Sequence, residues 1–104
     1  MLIATTEHIA GRETRVTLGM VRGSSVRSKH IGTDIVAGLR NLVGGEQTGY
    51  SSLLAGAREQ ALDRMVAEAT EMGADAIVAF KMETSSIMDG ASEILAYGTA
   101  VKLS

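Results

Sequence analysis

The chain has no cysteine, proline or tryptophan, and it has three aromatic residues among its 104. The absence of cysteine excludes disulfides, thiolate metal sites and cysteine nucleophiles. No segment approaches the roughly 18 consecutive apolar residues that a membrane-spanning helix needs. The first residues also lack the basic region and long apolar stretch of a secretory signal. We therefore expect a cytoplasmic protein without a membrane partner.

The apolar content is 45%, which is enough for a core built from aliphatic side chains. The length fits a single domain spanning residues 1–104. A chain this short buries only a modest share of its surface, so burial against a second copy is a direct way to gain stability. We expect the protein to be a homo-oligomer.

Charge is distributed unevenly along the chain. The net charge is −2, with +3 in residues 1–45 and −5 in residues 46–104. Halves of opposite sign attract each other within or between subunits. A nucleic-acid partner is not expected, because such proteins present a clustered basic face and usually aromatic stacking platforms.

Apolar periodicity predicts four strands. Residues 2–6 form a short apolar stretch, and residues 14–21 alternate, with Val16, Leu18 and Met20 on one side. This second strand is open to extension as far as Val26. Two further strands, at 76–83 and 93–103, flank a turn at 89–90 and suggest an antiparallel hairpin. In the last strand the residues expected to face one way are Leu95, Tyr97, Thr99, Val101 and Leu103.

Two segments have the period of an amphipathic helix. One spans residues 31–43 and ends at a glycine pair, and the other runs from a cap at Thr48, Ser51 or Ser52 to about Met72. The order of elements is strand, strand, helix, helix, strand, strand. It predicts an α+β two-layer sandwich, in which two helices cover one face of a mostly antiparallel sheet.

Charged residues on apolar helix faces are the first candidate site residues. Arg58 and Glu68 fall among the apolar positions of the second helix, about 15 Å apart along its axis, too far to pair with each other. A charge there needs a partner or a route to solvent. Either each residue reaches the edge or a buried ion pair, or Arg58 lines an interface or an anion site.

The first predicted helix offers a second group of candidates. Asp34, Gly38 and Asn41 form one stripe on this helix. Either the glycine lets another backbone come close, with hydrogen bonds from Asp34 and Asn41 across the contact, or the stripe is simply solvated. Arg40 and Glu46 bracket a glycine-containing loop, which either holds a polar ligand or is structural. Residues 22–29 offer either an anion cradle or a charged strand edge.

Metal binding and catalysis receive little support from the residues. His8 and His30 are the only histidines and lie 22 residues apart, and the six methionines are scattered. A metal site using His8, His30 and methionine remains one alternative, and an enzyme with a site between subunits remains another. No nucleophile elbow or Ser-His-Asp arrangement can be identified.

Four ordered motifs give the chain a family resemblance. They are GLRNLVGGE at 38–46, AREQALDRM at 57–65, GADAIV at 73–78 and YGTAV at 97–101. The chain resembles the YbjQ family across essentially its full length. The resemblance implies a dodecin-like two-layer subunit with an antiparallel sheet, assembled as a ring-shaped homopentamer. Members of this family are often described as heavy-metal-binding, so the resemblance implies that activity, and it supplies no established catalytic residues.

These observations lead to one hypothesis about function. We expect a ring-forming, non-catalytic protein that binds a small ligand or a metal ion at subunit interfaces. The sequence assigns no cofactor and no metal ligand set. The candidate ligand or interface residues are Asp34, Arg40, Asn41, Glu46, Arg58 and Glu68.

Overall fold

The computed structural model describes the backbone of residues 1–28 and 46–104 and the side chains of residues 1–27 and 53–104. The predicted helix at 31–43, with Asp34, Arg40 and Asn41, lies outside the described residues. The described elements are β1 (Leu2–Ile3), β2 (Thr14–Ser28), α1 (Glu46–Glu71), β3 (Ala76–Met88) and β4 (Ala91–Leu103).

The strands form one sheet in the order β1-β3-β4-β2. The β3/β4 and β2/β4 pairs are antiparallel, whereas β1 runs parallel to β3. The predicted α+β class and the antiparallel hairpin are therefore confirmed. Two of the three strand pairs are antiparallel, in agreement with the predicted mostly antiparallel sheet, and the exception is the N-terminal strand, which joins the sheet beside β3 in the same direction. The hairpin is longer than predicted, and its turn contains Gly90 at φ 75°.

Helix α1 packs on the sheet through a buried line that consists mostly of alanine. Its buried positions recur every four residues, at Ala57, Ala61, Met65 and Ala69. They meet β2 at Gly23, where an added Cβ would lie 2.2 Å from the Ala61 carbonyl oxygen. Backbone therefore touches backbone at this crossing, and the helix is fixed above β2.

The two faces of the sheet carry different apolar clusters. On the helix side, Ile94, Ala96 and Ala100 of β4 join the core that contains Met65 and Val21. On the opposite side, which we call the open face, Val101 and Leu103 pack with Ala76, Val78 and Ile9. The predicted alternation in β4 is confirmed, but the helix covers the side that carries the smaller residues.

The predicted apolar side of β2 is confirmed only at Leu18, which packs against the core on the helix side. Val16 and Met20 are 43% and 61% exposed, whereas Val21 and Ser25 are buried. The register of β2 against β4 shifts between Thr17 and Gly19, and Gly19 has φ 132°. A β-bulge of this kind changes which alternate residues face the helix.

Among residues 1–28 and 46–104, no helix combines the length and apolarity needed to cross a bilayer.

Candidate functional site

Residues 4–6 extend the contact of the N-terminal segment with β3 beyond the end of β1. The Ala4 amide donates to the Ile77 carbonyl at 2.9 Å, and the Phe80 amide donates to the Ala4 carbonyl at 3.0 Å. The Ala79 amide donates to the Thr6 carbonyl at 2.8 Å. This side of β3 is therefore occupied as far as Phe80.

Ala79 adopts a backbone conformation that is uncommon for a residue with a side chain. Its φ is 53°, and it is the only residue other than glycine with positive φ in the described part of the chain. It lies in a bulge, because the register of β3 against β4 slips between Val78 and Lys81. Opposite the bulge, a Cβ on Gly98 would lie 2.6 Å from Ile77 Cγ2. Strained residues of this kind concentrate at functional sites.

An open cleft lies beside Ala79. It has a volume of about 490 Å³ and combines an apolar base with hydroxyl, carboxylate and imidazole groups. Its lining residues are Glu7, His8, Thr14, Thr17, Val78, Ala79, Thr99 and Val101.

The loop that carries Glu7 and His8 is held at both ends. Thr6 Oγ1 donates to the His8 carbonyl at 2.8 Å, which closes a short turn. At the other end, the Ser104 amide donates to the Glu13 carbonyl at 2.9 Å, and Arg12 Nε donates to the Ser104 carbonyl at 3.1 Å. The cleft is thus preformed by hydrogen bonds on both sides, and a preorganised site loses less entropy when a ligand binds.

The donor set of the cleft suits a small polar molecule better than a resident heavy metal. Threonine hydroxyls both donate and accept hydrogen bonds, and Val78 and Val101 give the apolar contact typical of ligand sites. Zinc and related ions take three or four nitrogen, sulfur or carboxylate ligands from the protein. No three such residues come together in the part of the chain that the structure describes.

Two of the candidate residues from the sequence can be located by their side chains. Arg58 and Glu68 are both exposed on α1. They lie beside the buried line at Ala57, Ala61, Met65 and Ala69, and the helix residues that pack next to this line are instead Leu54, Leu62 and Val66. Burial within the subunit is thus not their role. Their assignment to a ligand or an interface stays a prediction.

The remaining candidate residues are not described in enough detail to test. Glu46 is the first residue of α1, and its side chain lies outside the described residues. Asp34, Arg40 and Asn41 also lie outside them.

The candidate anion cradle at residues 22–29 does not form over the described positions. Ser25 and Arg27 turn towards α1, where Ser25 Oγ donates to Gln60 Oε1 at 2.8 Å and Arg27 Nη2 donates to the same oxygen at 2.9 Å. Arg22 and Ser24 alternate with them and point to the open face. The period of the strand therefore divides the donors between two faces.

Most residues of the cleft carry no signal in the sequence. His8 was considered only as a metal ligand, and Thr14, Thr17 and Thr99 were not singled out because threonine is common in strands. Nothing in the local sequence marks Ala79 as a residue with positive φ. A glycine there would have been a signal, but alanine is not.

The fold and the cleft define a class: a small α+β domain with a mixed four-stranded sheet and an open cleft with polar groups on the face away from α1. The chain belongs to the YbjQ family, whose model, described as "Putative heavy-metal-binding", matches residues 1–104. The resemblance seen in the sequence is therefore confirmed.

Similar proteins occur in archaea and bacteria. The chain is 59% identical to a UPF0145 protein of Methanosarcina acetivorans, over 99% of this chain and 97% of that one. It is 58% identical to a UPF0145 protein of Photobacterium profundum, over 99% of this chain and all of the other. A crystallised protein of unknown function from Pediococcus pentosaceus, of the DUF74 family, shares the fold with a TM-score of 0.66 at 17% identity, covering 100% of this chain and 98% of that one.

Proposed function

We propose that this protein is a non-catalytic homo-oligomer, a pentameric ring, that binds a small polar ligand or ion. The observation that carries the ligand-binding part is the cleft beside Ala79, where strained backbone, hydroxyl groups and the Glu7-His8 pair surround about 490 Å³. A polyhydroxylated or carboxylated small molecule fits these groups, since they offer both donors and acceptors above an apolar base.

The small interior of the subunit supports self-association. Of the fourteen buried apolar residues in the described part of the chain, seven are alanine. Alanine buries little apolar area, so its contribution to stability is small beside that of leucine or phenylalanine. Meanwhile Met20, Val26, Ile87 and Met88 are each more than half exposed. Contact between copies is the available way to cover them.

The proposed ligand and interface residues of the ring include those predicted from the sequence. Asp34, Arg40, Asn41, Glu46, Arg58 and Glu68 keep that assignment, and the exposure of Arg58 and Glu68 is compatible with contact to a neighbour. Arg58→Ala and Asn41→Ala are expected to weaken assembly or ligand binding. If both variants assemble, unfold and bind as the unaltered protein does, these positions lose the assignment.

Native mass spectrometry of protein purified from its own host tests the proposal. We expect a single oligomer whose mass exceeds that of its bare subunits by a retained small molecule. Thr17→Val with Thr99→Val removes two hydroxyls of the cleft while keeping its shape, and should abolish the extra mass without changing the subunit count. Thr70→Val, on the exposed side of α1 and outside the cleft, is the matched control. An oligomer without any added mass contradicts ligand binding, and a monomer contradicts assembly.

Metal binding is the alternative that the family description favours. Among the described residues of the cleft, Glu7 and His8 have side chains of the type that coordinates metal ions. Two protein ligands hold a divalent ion weakly compared with the sets found in structural sites. Calorimetric titration with zinc, copper and nickel separates the two readings. If a metal binds saturably with a dissociation constant below the high micromolar range, and His8→Ala abolishes this binding, the metal hypothesis replaces that of a polar ligand.

A further inference from the structure

The sheet has two edges with unused backbone groups in the described residues. Strand β2 is the last strand on one side, and all fifteen of its residues form one edge. On the other side, β1 and residues 4–6 accompany β3 only as far as Phe80. The following part of the hairpin, residues 81–93, which we call the hairpin arm, extends past them, and its Lys81 and residues 83–88 are exposed. Long exposed edges are templates for pairing with another strand.

The two edges carry opposite charge. Strand β2 contains Arg15, Arg22 and Arg27 and no acidic residue, a net charge of +3. The hairpin arm contains Lys81, Glu83, Asp89 and Glu93, a net charge of −2. Pairing of two β2 edges would place three arginines against three others. Pairing of β2 with a hairpin arm brings unlike charges together, and such complementarity selects partners and register.

We propose that neighbouring copies join edge to edge, with β2 of one subunit beside the hairpin arm of the next, so that the sheet continues across the interface. This rests on the self-association proposed above and assigns its contact surface. The contact is heterologous, because two different surfaces meet, and a heterologous contact repeated by rotation closes into a ring.

The heights of the residues along the strands fit this contact. Strands β2 and β3 are both antiparallel to β4, so they run in the same direction. When copies are related by rotation about an axis along the strands, β2 of one copy therefore pairs in parallel with β3 of the next. Ser24 and Glu83 both pair with Leu95, so they lie at the same level. Arg22, two residues before Ser24 on the same face, comes within diagonal reach of Glu83 on the neighbouring copy.

Apolar residues meet at the turn end of the same contact. Val26 is level with Ser85, because both pair with Glu93. Val26 is 51% exposed in the subunit, and Ile87 and Met88 near the tip of the arm are 54% and 63% exposed. The proposed contact covers all three together.

Arg64 shows which backbone groups of β2 face outwards. Its Nη1 donates to the Ser24 carbonyl at 2.6 Å, so this carbonyl is directed away from β4. The amide of Ser24 points to the same side, as N–H and C=O of one residue do in a strand. A carbonyl has two lone pairs, so the bond from Arg64 leaves room for an amide of the neighbour.

Two kinds of variant test the contact by sedimentation over a range of protein concentrations. Ser24→Pro removes an outward N–H and leaves the hydrogen bonds to β4 in place. An edge strand accepts proline at such a position. Arg22→Glu and Glu83→Lys each place like charges across the contact. We expect each to raise the concentration at which the oligomer dissociates by about tenfold or more. A single chain that carries both Arg22→Glu and Glu83→Lys should recover assembly, because every contact is then complementary again with the two signs exchanged.

Matched controls carry the same charge changes elsewhere. Lys102→Glu alters an exposed residue of β4, and Glu71→Lys alters the last turn of α1; both should assemble normally. If Ser24→Pro fails to fold, judged by circular dichroism, the charge variants decide alone. Arg22→Glu and Glu83→Lys assembling like the unaltered protein would overturn this contact and leave the oligomer standing. An unaltered protein that sediments as a monomer would overturn both.

Discussion

Ala79 stores strain at the edge of the cleft. For a residue with a Cβ, the left-handed conformation costs about 1–2 kcal/mol, and the structure holds Ala79 there at φ 53°. The bulge around it and the bond from its amide to Thr6 fix this geometry. The backbone at the cleft is therefore kept in a shape that the local sequence does not favour.

Replacing Ala79 by glycine should relieve the strain. We expect Ala79→Gly to raise the free energy of unfolding by about 1 kcal/mol, because glycine adopts positive φ without a steric penalty. Urea unfolding at fixed protein concentration measures the change. Ala100→Gly, at a buried position without positive φ, is the control and should lower stability. A loss of stability in Ala79→Gly would show that the alanine methyl contributes packing that outweighs the strain.

Tyr97 and Glu83 form a hydrogen-bonded pair on the open face. The phenol donates to Glu83 Oε1 at 3.0 Å, and this bond, with a smaller effect from desolvation and from the carboxylate charge, raises the pKa of Tyr97 above its ordinary value of 10.0. The protonated phenol is the form that can donate, so losing the acceptor must lower the pKa.

Absorbance titration at alkaline pH tests this assignment in a Tyr50→Phe background, where Tyr97 is the only tyrosine left. We expect Glu83→Gln to move the pKa of Tyr97 down towards 10.0, since the charge is removed and the acceptor is weaker. Glu93→Gln, on the same face but not bonded to the phenol, serves as the comparison. Equal titration curves for Glu83→Gln and the parent would exclude the bond in solution.

At the scale of elements, the crossing of α1 over β2 is the least tolerant contact. A Cβ at Gly23 would lie 2.2 Å from the Ala61 carbonyl oxygen and 2.4 Å from the Met65 amide nitrogen. Both are backbone atoms of a long helix, so neither can move without shifting α1. Gly56, in the same helix, has nothing within 4 Å of an added Cβ.

The two glycines should therefore respond in opposite ways to alanine. We expect Gly23→Ala to cost about 3 kcal/mol, at the upper end for overpacked positions. Gly56→Ala should add about 1 kcal/mol through helix propensity. Chemical denaturation of both variants measures the difference. A small effect at Gly23 would mean that the helix sits farther from β2 in solution.

The sequence predicts the type of each described element better than the face it presents. The apolar spacing from Leu54 to Met72 is regular, so α1 and its buried line follow from the helical period. In β2 the same reasoning fails after Leu18, since the bulge between Thr17 and Gly19 exchanges the two faces. A bulge depends on pairing with a distant strand, here β4, and local composition does not encode it.

The site is harder to predict because it is assembled from separate segments. Thr17, Ala79 and Thr99 meet through the antiparallel pairing of three strands, and Glu7 joins them through the parallel pairing of β1 with β3. Sequence reasoning placed Arg58 and Glu68 on an apolar face because a helical wheel treats that face as wide. The packing face of α1 consists of a buried line flanked by partly buried Leu54, Leu62 and Val66, and both charged residues lie outside it and are exposed.

At the scale of the whole molecule, the subunit is extended for its length. Its radius of gyration is 16.8 Å, against about 13 Å for a compact chain of this size. The hairpin arm and the far end of β2 project beyond the crossing with α1. Such a shape exposes much surface per residue, which favours stabilisation by neighbouring copies.

Thermal unfolding should therefore depend on protein concentration. A homo-oligomer that dissociates on unfolding gains stability by mass action, so its Tm rises with the total protein concentration. We expect calorimetric scans between micromolar and near-millimolar subunit concentration to show a steady rise in Tm. Arg22→Glu should lower Tm most at the dilute end. A Tm that is constant over this range would mean that folding and assembly are not coupled.

The alanine-rich interior has a consequence for the effect of temperature. Unfolding raises the heat capacity mainly by exposing hydrocarbon to water, and typical domains gain about 12–15 cal/mol/K per residue. Half of the buried apolar positions in the described ranges are alanine, so a lone subunit exposes less hydrocarbon than a leucine-rich core of equal length. Its stability curve is consequently shallow, and cooling or warming by tens of degrees changes its folding free energy little.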